Sequence, residues 1–544
     1  LTFDLISEIW LPVVTENGTT REVGLAELLG SAQDFRRLVG SSPTMTAALH
    51  RLVFAVMHHV FRPTSDEEWA QLWQRPDLRT DAVTKFFHEE RDSFDLFHPD
   101  RPFMQSKSLA EVEPAGIARL VPFRASGNNV TLFDHTTAAD RLTLTPAEAA
   151  RWLVTLQCYD PGGMKSGAYR NAPRSSKRAP INDFGCVVVE GGTLKETLLL
   201  NLLRYDPARD EPSMTGVDDR PNWQDPGSTA ATPNARTPRG WLDLLTWPSR
   251  RVLLRASTEQ SDAESGHPLV DGVVITPGTE LRPVAEDHEH DWMAALRIPI
   301  TKGPRKTGKK KPIMPPRVPV RLEEQRGVWR HAEELLLGAQ QHNDQSRRRR
   351  PAALDQIAER AEHNLIPADA VFTLRVYGQQ LDDKQAIVHN WQEESVPAPV
   401  ALLREKSARL RLSRVVGLSC RLADDVGFLV RQLDRGYRAD FNASPPPTLE
   451  VSYWPHLTAP FHTFVRDLGK AMEMENNGAG EKAAVDKWGR AVRGIAADAA
   501  DRWVFGAARS SARALSMAGK HDIVFRAELS RVLKLFSDEV DRSL

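Results

Sequence analysis

Apolar residues in this chain follow two different rhythms, and the change between them near residue 390 is its main organising feature. In the first part, Met45, Leu49, Leu52, Val53, Val56, Met57 and Val60 recur at helical spacing, which predicts a buried amphipathic helix over 43–61. Thr145-Pro146-Ala147-Glu148 reads as a helix start, with Thr145 capping, Pro146 at the first helical position and Glu148 completing a capping box. That helix carries Ala149, Trp152, Leu153 and Leu156 and should stop near Tyr159, before Asp160-Pro161-Gly162-Gly163. Phe184 to Val189, 249–255 and 371–377 are the clearest strands, and the Asp-, Pro- and Gly-rich stretch 206–240 reads as a loop. Beyond 390 the pattern predicts four helical stretches, about 398–435, 456–475, 481–518 and 521–541, separated by 442–447, Asn476-Asn477-Gly478 and Gly519. Long amphipathic helices joined by short connections pack as antiparallel neighbours. The expected fold is therefore α+β: a large mixed α/β N-terminal domain over 1–390, then a C-terminal four-helix bundle over 391–544.

Length adds little to that picture, since 544 residues correspond to roughly three or four domain-sized units. Charge adds more. Lys and Arg number 71 against 72 Asp and Glu, a formal charge of -1, which excludes a uniformly cationic binder. Any nucleic-acid surface must then come from local segregation, and the chain has it. Lys302 to Arg321 holds eight cations and no acid, interrupted by glycines and prolines, so it reads as a loop able to contact phosphates. Lys165 to Arg178 is a second acid-free basic tract, directly after a glycine turn, and Arg347 to Arg350 form a third cluster. A neutral body with basic loops is the electrostatic footprint of a protein holding DNA or RNA in a groove.

Catalytic signatures are missing. Gly162-Gly163-Met164-Lys165-Ser166 fails the phosphate-loop pattern, because Met164 separates glycine from lysine and no upstream glycine stands at the required spacing. The chain has no G-x-G-x-x-G, G-x-S-x-G or H-E-x-x-H. His288-Glu289-His290, His58-His59 and Asp382-Asp383 are the nearest approaches to metal ligands, and each has a plainer reading as surface, packing or hairpin tip. Three well-separated cysteines, Cys158, Cys186 and Cys420, argue against a disulfide framework or a cysteine zinc cage and fit a reducing cytoplasm. No apolar run approaches the ~20 residues a bilayer span needs, so no membrane association is expected. The expected protein is a cytoplasmic non-enzyme without metal or cofactor. Its chief rival is a metal-dependent nuclease acting on DNA or RNA through Asp382, Asp383 and a histidine, and a protein-only scaffold is a third reading.

Specific segments resemble one family. Leu5-Ile6-Ser7-Glu8-Ile9-Trp10-Leu11-Pro12-Val13 is similar to the "W-I/L-P-V" start of the CasA family, the large subunit of the type I-E CRISPR surveillance complex, Cascade. Pro102-Phe103-Met104-Gln105 resembles its "PFMQ" segment, and Gly162 to Gly167 its glycine loop "GGFKSG". Asn201-Leu202-Leu203, Arg220-Pro221-Asn222-Trp223 and Arg239-Gly240-Trp241-Leu242 through Trp247 and Arg250 match later blocks in order. The resemblance implies a non-catalytic subunit partnered by double-stranded DNA, guide RNA, the other Cascade subunits and a recruited helicase-nuclease. Such a subunit reads the short target-flanking motif while base pairing reads the sequence.

Four site elements carry over with it. Asp160, Pro161, Gly162 and Gly163 fall at the glycine loop. Lys302, Arg305 and Lys306 lie where a minor-groove lysine finger belongs. The strand-opening wedge maps to Asp382, Asp383, Lys384 and Gln385, with the family glutamine at Lys384 and Gln385 beside it. Asn128, Asn129, Leu132, Phe133 and Asp134 match the loop that docks on the neighbouring subunit and the guide RNA. Some relatives have a cysteine-rich, zinc-like cluster ahead of the lysine finger. This chain has no cysteine between Cys186 and Cys420, so no zinc is expected.

Overall fold

A computed structural model describes residues 2–123, 142–225, 230–263, 265–282, 291–297, 318–323, 327–337, 349–382, 387–404, 409–441, 449–473, 478–507 and 511–544. They form two compact units, 1–293 with 376–393 and 294–375 with 394–544.

The first unit is built around the helix Pro43–Phe61. The Ser42 hydroxyl accepts from the Met45 N–H, Pro43 occupies the first turn, and Arg62 ends the helix in a left-handed conformation (φ 40°). Nearly every side chain from Thr44 to His58 is buried, so the helix is covered all round. His58 belongs to this packing: it is fully buried, its Nδ1 bonds the Phe54 carbonyl at 2.7 Å, and its Nε2 accepts from the Leu203 N–H at 3.0 Å. The helix Pro146–Tyr159 lies beside it and has the capping box expected of Thr145 and Glu148. Three-stranded sheets surround these helices. One runs Thr20–Val23, Leu11–Thr15, Phe35–Leu38, and another Ala115–Gly116, Pro268–Pro277, Arg250–Ser261. A third is ordered Val388–Pro399, Val371–Leu381, Cys186–Glu190, and of its two hairpin strands the portion 376–393 belongs to this unit. Segment 206–240 contains short 3-10 turns and the three-residue strand Asn234–Arg236, close to the loop its composition predicts.

The second unit contains the four long C-terminal helices, Arg409–Ala439, Trp454–Glu473, Ala479–Ala507 and Ala512–Asp541, packed together as the periodicity predicts. Trp329, which precedes these helices in the chain, packs with Phe461 and Trp488, its ring 4.6 Å from that of Phe461 and 5.7 Å from that of Trp488. The Trp488 indole N–H donates to the Ser419 carbonyl at 3.0 Å, which satisfies its polar edge inside the core. One predicted breaker is misplaced. Gly519 lies within the last helix, where a Cβ would meet nothing, and the new helix is started by Ser511, whose hydroxyl accepts from the Ala514 N–H. A serine able to cap outweighs a glycine that costs an exposed helix only about 1 kcal/mol.

All three cysteines are buried and free. Burial pushes the Cys158 thiol up to about 11 and the Cys186 thiol to about 12, and raises Cys420 well above its ordinary value. No described helix is long and apolar enough to cross a membrane.

Candidate nucleic-acid interface

Asp160 is the residue on which the glycine loop hangs. Its N–H still closes the helix Pro146–Tyr159 by donating to the Leu156 carbonyl at 3.1 Å, after which its extended backbone turns the chain outward. Its carboxylate binds two cations at once, Lys165 Nζ at 2.6 Å and the Arg250 Nε–H. The Arg250 guanidinium is buried, with 2% of the side chain exposed, and it spends its remaining donors on backbone. It reaches the carbonyls of Ser249 at 2.7 Å, Lys177 at 2.7 Å and Pro161 at 3.2 Å. The planar fork of arginine suits this role, because one side chain gathers carbonyls from both arms of the loop. The Gln157 side chain then holds the Arg250 backbone through paired bonds of 2.9 and 3.0 Å.

Beyond Asp160 the chain forms a narrow hairpin. Gly163 and Met164 pair antiparallel with Ser176 and Ser175, and the Lys165 N–H donates to the Arg174 carbonyl at 2.8 Å. The two glycines have different reasons to be glycine. A Cβ on Gly162 would lie 3.2 Å from the Arg178 nitrogen and the Ser176 oxygen, so the chain itself fills that space. Gly163 has φ +118°, which side chains rarely adopt, and nothing stands within 4 Å of where its Cβ would be. The open side of the loop is therefore over Gly163. Next to it Met164 is 74% exposed, and the tip presents Tyr169, Arg170 and Arg174. The basic tract divides in the same way: Lys165 is committed to Asp160 and Lys177 to Glu280, while Arg170 and Arg174 are exposed.

The second element is the hairpin 371–399. Asp382 closes its far end, its N–H donating to the Ile387 carbonyl at 2.9 Å and its carboxylate accepting from the Ile387 N–H at 2.9 Å. Asp382 thus fastens the described ends of the two strands to each other. Three residues down the strand, Gln379 donates from Nε2 to the Tyr159 carbonyl at 2.7 Å and to the Asn182 side chain, and accepts from the Trp391 indole at 3.2 Å. Asn182 in turn donates to the Asp160 carbonyl at 3.2 Å. The hairpin stem and the root of the glycine loop thus share one hydrogen-bonded network.

The other expected site residues, Lys302, Arg305, Lys306, Asp383, Lys384, Gln385 and the segment Asn128 to Asp134, lie outside the described residues, as does His288-Glu289-His290. Among the described residues no cluster of His, Cys, Asp and Glu is arranged to hold a metal. The block around Arg239-Gly240 serves the fold: buried Asp219 caps the helix Trp241–Leu245 by accepting from Leu242 and Asp243 N–H groups, and fills the space beside Gly240. Arg250, Gln379 and Asn182 were not singled out as site residues from the sequence. Arg250 closes one of the matched sequence blocks, and the physical signal for its role is an arginine opening a strand otherwise destined for the core, where a charge must find a partner.

Comparison with known proteins gives a consistent result. A family model described as CRISPR-associated protein Cse1 matches residues 4–499. The Thermus thermophilus protein named CRISPR-associated protein CasA/Cse1 is 32% identical over 520 residues, 91% of each chain. The crystal structure of Thermobifida fusca Cse1 superposes with a TM-score of 0.79 at 27% identity, covering 98% of both chains. A chain from a structure described as a CRISPR RNA-guided surveillance complex shares the fold, with a TM-score of 0.69 at 20% identity over 96% of this chain and 99% of that one.

Proposed function

The chain belongs to the CRISPR-associated Cse1 (CasA) family, and on that premise we propose that it is the non-catalytic large subunit of an RNA-guided surveillance complex. In this role it reads the short motif flanking a double-stranded DNA target, helps open the duplex for the guide RNA, and offers a platform to the helicase-nuclease. Residues 1–390 carry the DNA-contacting loops on this reading and 391–544 the bundle. The observation that supports it best is the glycine loop, held rigidly from behind by Arg250 and Lys165 and open in front over Gly163. A backbone fixed in that way can lie against a minor-groove edge with no side chain intervening, and little ordering is left to be done on binding. Minor-groove patterns are degenerate, so motif choice by such a loop is permissive.

The test is Met164→Asp in the assembled complex. Met164 is 74% exposed beside the open face of Gly163, so a carboxylate there repels phosphate without a change of glycine backbone, and guide RNA retention and assembly should persist while motif-dependent duplex binding is lost. Thermal unfolding of the isolated variant accompanies it, to show that the chain is folded. A folded variant that captures flanked duplexes as tightly as the parent refutes the assignment of this loop.

A further inference from the structure

We infer that the tip of the glycine-loop hairpin, Arg170 and Arg174 with Arg119 beside them, is a phosphate clamp that seats the duplex without reading its sequence. On the reading that the loop lies against a minor groove, on which this rests, Gly163 meets the base edges and the tip holds the backbone. The tip is placed as firmly as the root. The Ser166 N–H donates to the Ile275 carbonyl at 3.0 Å, tying the hairpin to the strand Pro268–Pro277. Ala168 packs on the apolar cluster of Leu109, Leu253 and Val274, and Ala172 is buried. Between them the Ala172 N–H closes a turn on the Tyr169 carbonyl at 3.0 Å, with Asn171 in the left-handed conformation (φ 63°) that asparagine tolerates. This scaffold leaves Tyr169 51% exposed and puts Arg170 and Arg174 in solvent. Arg119 joins them, its guanidinium donating to the Ser166 hydroxyl at 3.2 Å. Among the described residues none of these three arginines has an acidic partner, whereas the lysines of the same tract are paired with Asp160 and Glu280. Arginine forks match phosphate oxygens, and a tyrosine hydroxyl can add a further bond to them. The reach is right. Gly167, beside which the Arg174 guanidinium lies, follows Gly163 by four residues, at most about 14 Å of chain. A minor groove is only about 6 Å wide and 7.5 Å deep, so a base edge against Gly163 brings the phosphates of the groove wall to those side chains. Contacts of this kind fix the register of a duplex and carry no sequence information.

The experiment uses the assembled complex with guide RNA and duplex targets that differ only in the flanking motif, titrated between about 50 and 200 mM salt. Arg170→Gln combined with Arg174→Gln should lower the slope of log affinity against log salt by about two, since each neutralised phosphate contributes about 0.9. The affinity deficit should then be about tenfold larger at the low-salt end, and the same for every motif. Arg170→Lys combined with Arg174→Lys keeps both charges and should restore most of the slope, which a distorted loop would not do. Guide RNA retention should be parental in both double variants. A parental slope in the glutamine variant of a complex that discriminates motifs overturns the clamp and leaves the proposed function standing. Loss of the preference between motifs also overturns it, because the tip would then be reading bases. Loss of guide RNA overturns it by assigning the arginines to RNA instead of the duplex. If the unsubstituted complex itself shows no preference between motifs, the proposed function falls, and the clamp that rests on it falls too.

Discussion

Removing the Arg250 guanidinium should loosen the glycine loop while leaving the rest of the first unit in place. Arg250→Met preserves most of the buried stem and deletes the donors that serve Asp160, Ser249, Pro161 and Lys177. Breaking a buried ion pair from one side costs about 3–5 kcal/mol. Lys165 remains 2.6 Å from Asp160, so the charge is not abandoned and the lower end, about 3 kcal/mol, applies here. Asp160→Asn leaves Arg250 its carbonyls but no counter-charge, and should cost about 2 kcal/mol. The double variant should be less damaged than the sum by about 2 kcal/mol, because the second change removes a partner that is already gone. Urea unfolding of the four proteins gives the cycle. Amide exchange at Lys165 and Ala179, whose N–H groups bond the Arg174 and Asp160 carbonyls, reports the loop itself. A local loss of about 3 kcal/mol should speed exchange there by roughly a hundredfold. A coupling energy below about 0.5 kcal/mol, or unchanged exchange at both amides, would refute the claim that this pair braces the loop.

Burial pushes the Glu394 carboxyl up to about 7, against the backbone N–H of Val328 that bonds it. The folded state then keeps a proton that the unfolded chain releases above its ordinary value of 4.5, so this contribution is complete below 4.5 and is lost as pH rises through 7. Glu394→Gln should leave stability unchanged near pH 4.5 and raise it at pH 8, by about 3 kcal/mol at most, as read by urea unfolding at the two pH values. Two helix glycines should respond to alanine with opposite signs in the same assay. Gly494→Ala gains about 0.5–1 kcal/mol because nothing lies near the added methyl, whereas Gly427→Ala loses about 1–3 kcal/mol because its Cβ would collide with the Trp454 ring. Neutralising Lys302, Arg305 and Lys306 together should weaken binding to all duplex sequences, as measured by titration across ionic strengths. The salt slope should fall by about one for each phosphate that these side chains no longer neutralise.

Helices were legible wherever a local signal and a periodic one agreed. Ser42-Pro43 and Thr145-Pro146-x-Glu148 each combine a cap with an apolar stripe, and both helices begin where those residues stand. Gly519 shows the limit, because a glycine is a weak break when the side chains around it continue to pack. Two of the three predicted strands were shorter on paper than in the structure: 249–255 became Arg250–Ser261, since the outer half of that strand is polar and exposed and leaves no apolar alternation to read, and 371–377 became Val371–Leu381. The glycine loop could be found by its composition, but not what its glycines do. That Gly162 faces its own returning strand while Gly163 faces open space depends on the pairing of Gly163 with Ser176, a contact set by tertiary register. Gln379 was invisible for the same reason, its partners lying 220 and 197 residues away in the chain.

The burial of all three thiols makes this chain a convenient host for spectroscopic probes. A thiol held at about 11, like that of Cys158, is ionised in only about one molecule in ten thousand at neutral pH, and it is also shielded from reagents. A cysteine introduced at Met164, 74% exposed beside the open face of Gly163, would be open to solvent and react with maleimides far faster than the native three. One dye could thus be attached beside the glycine loop without first stripping the chain of its own sulfur, and its emission would report the arrival of a duplex in real time.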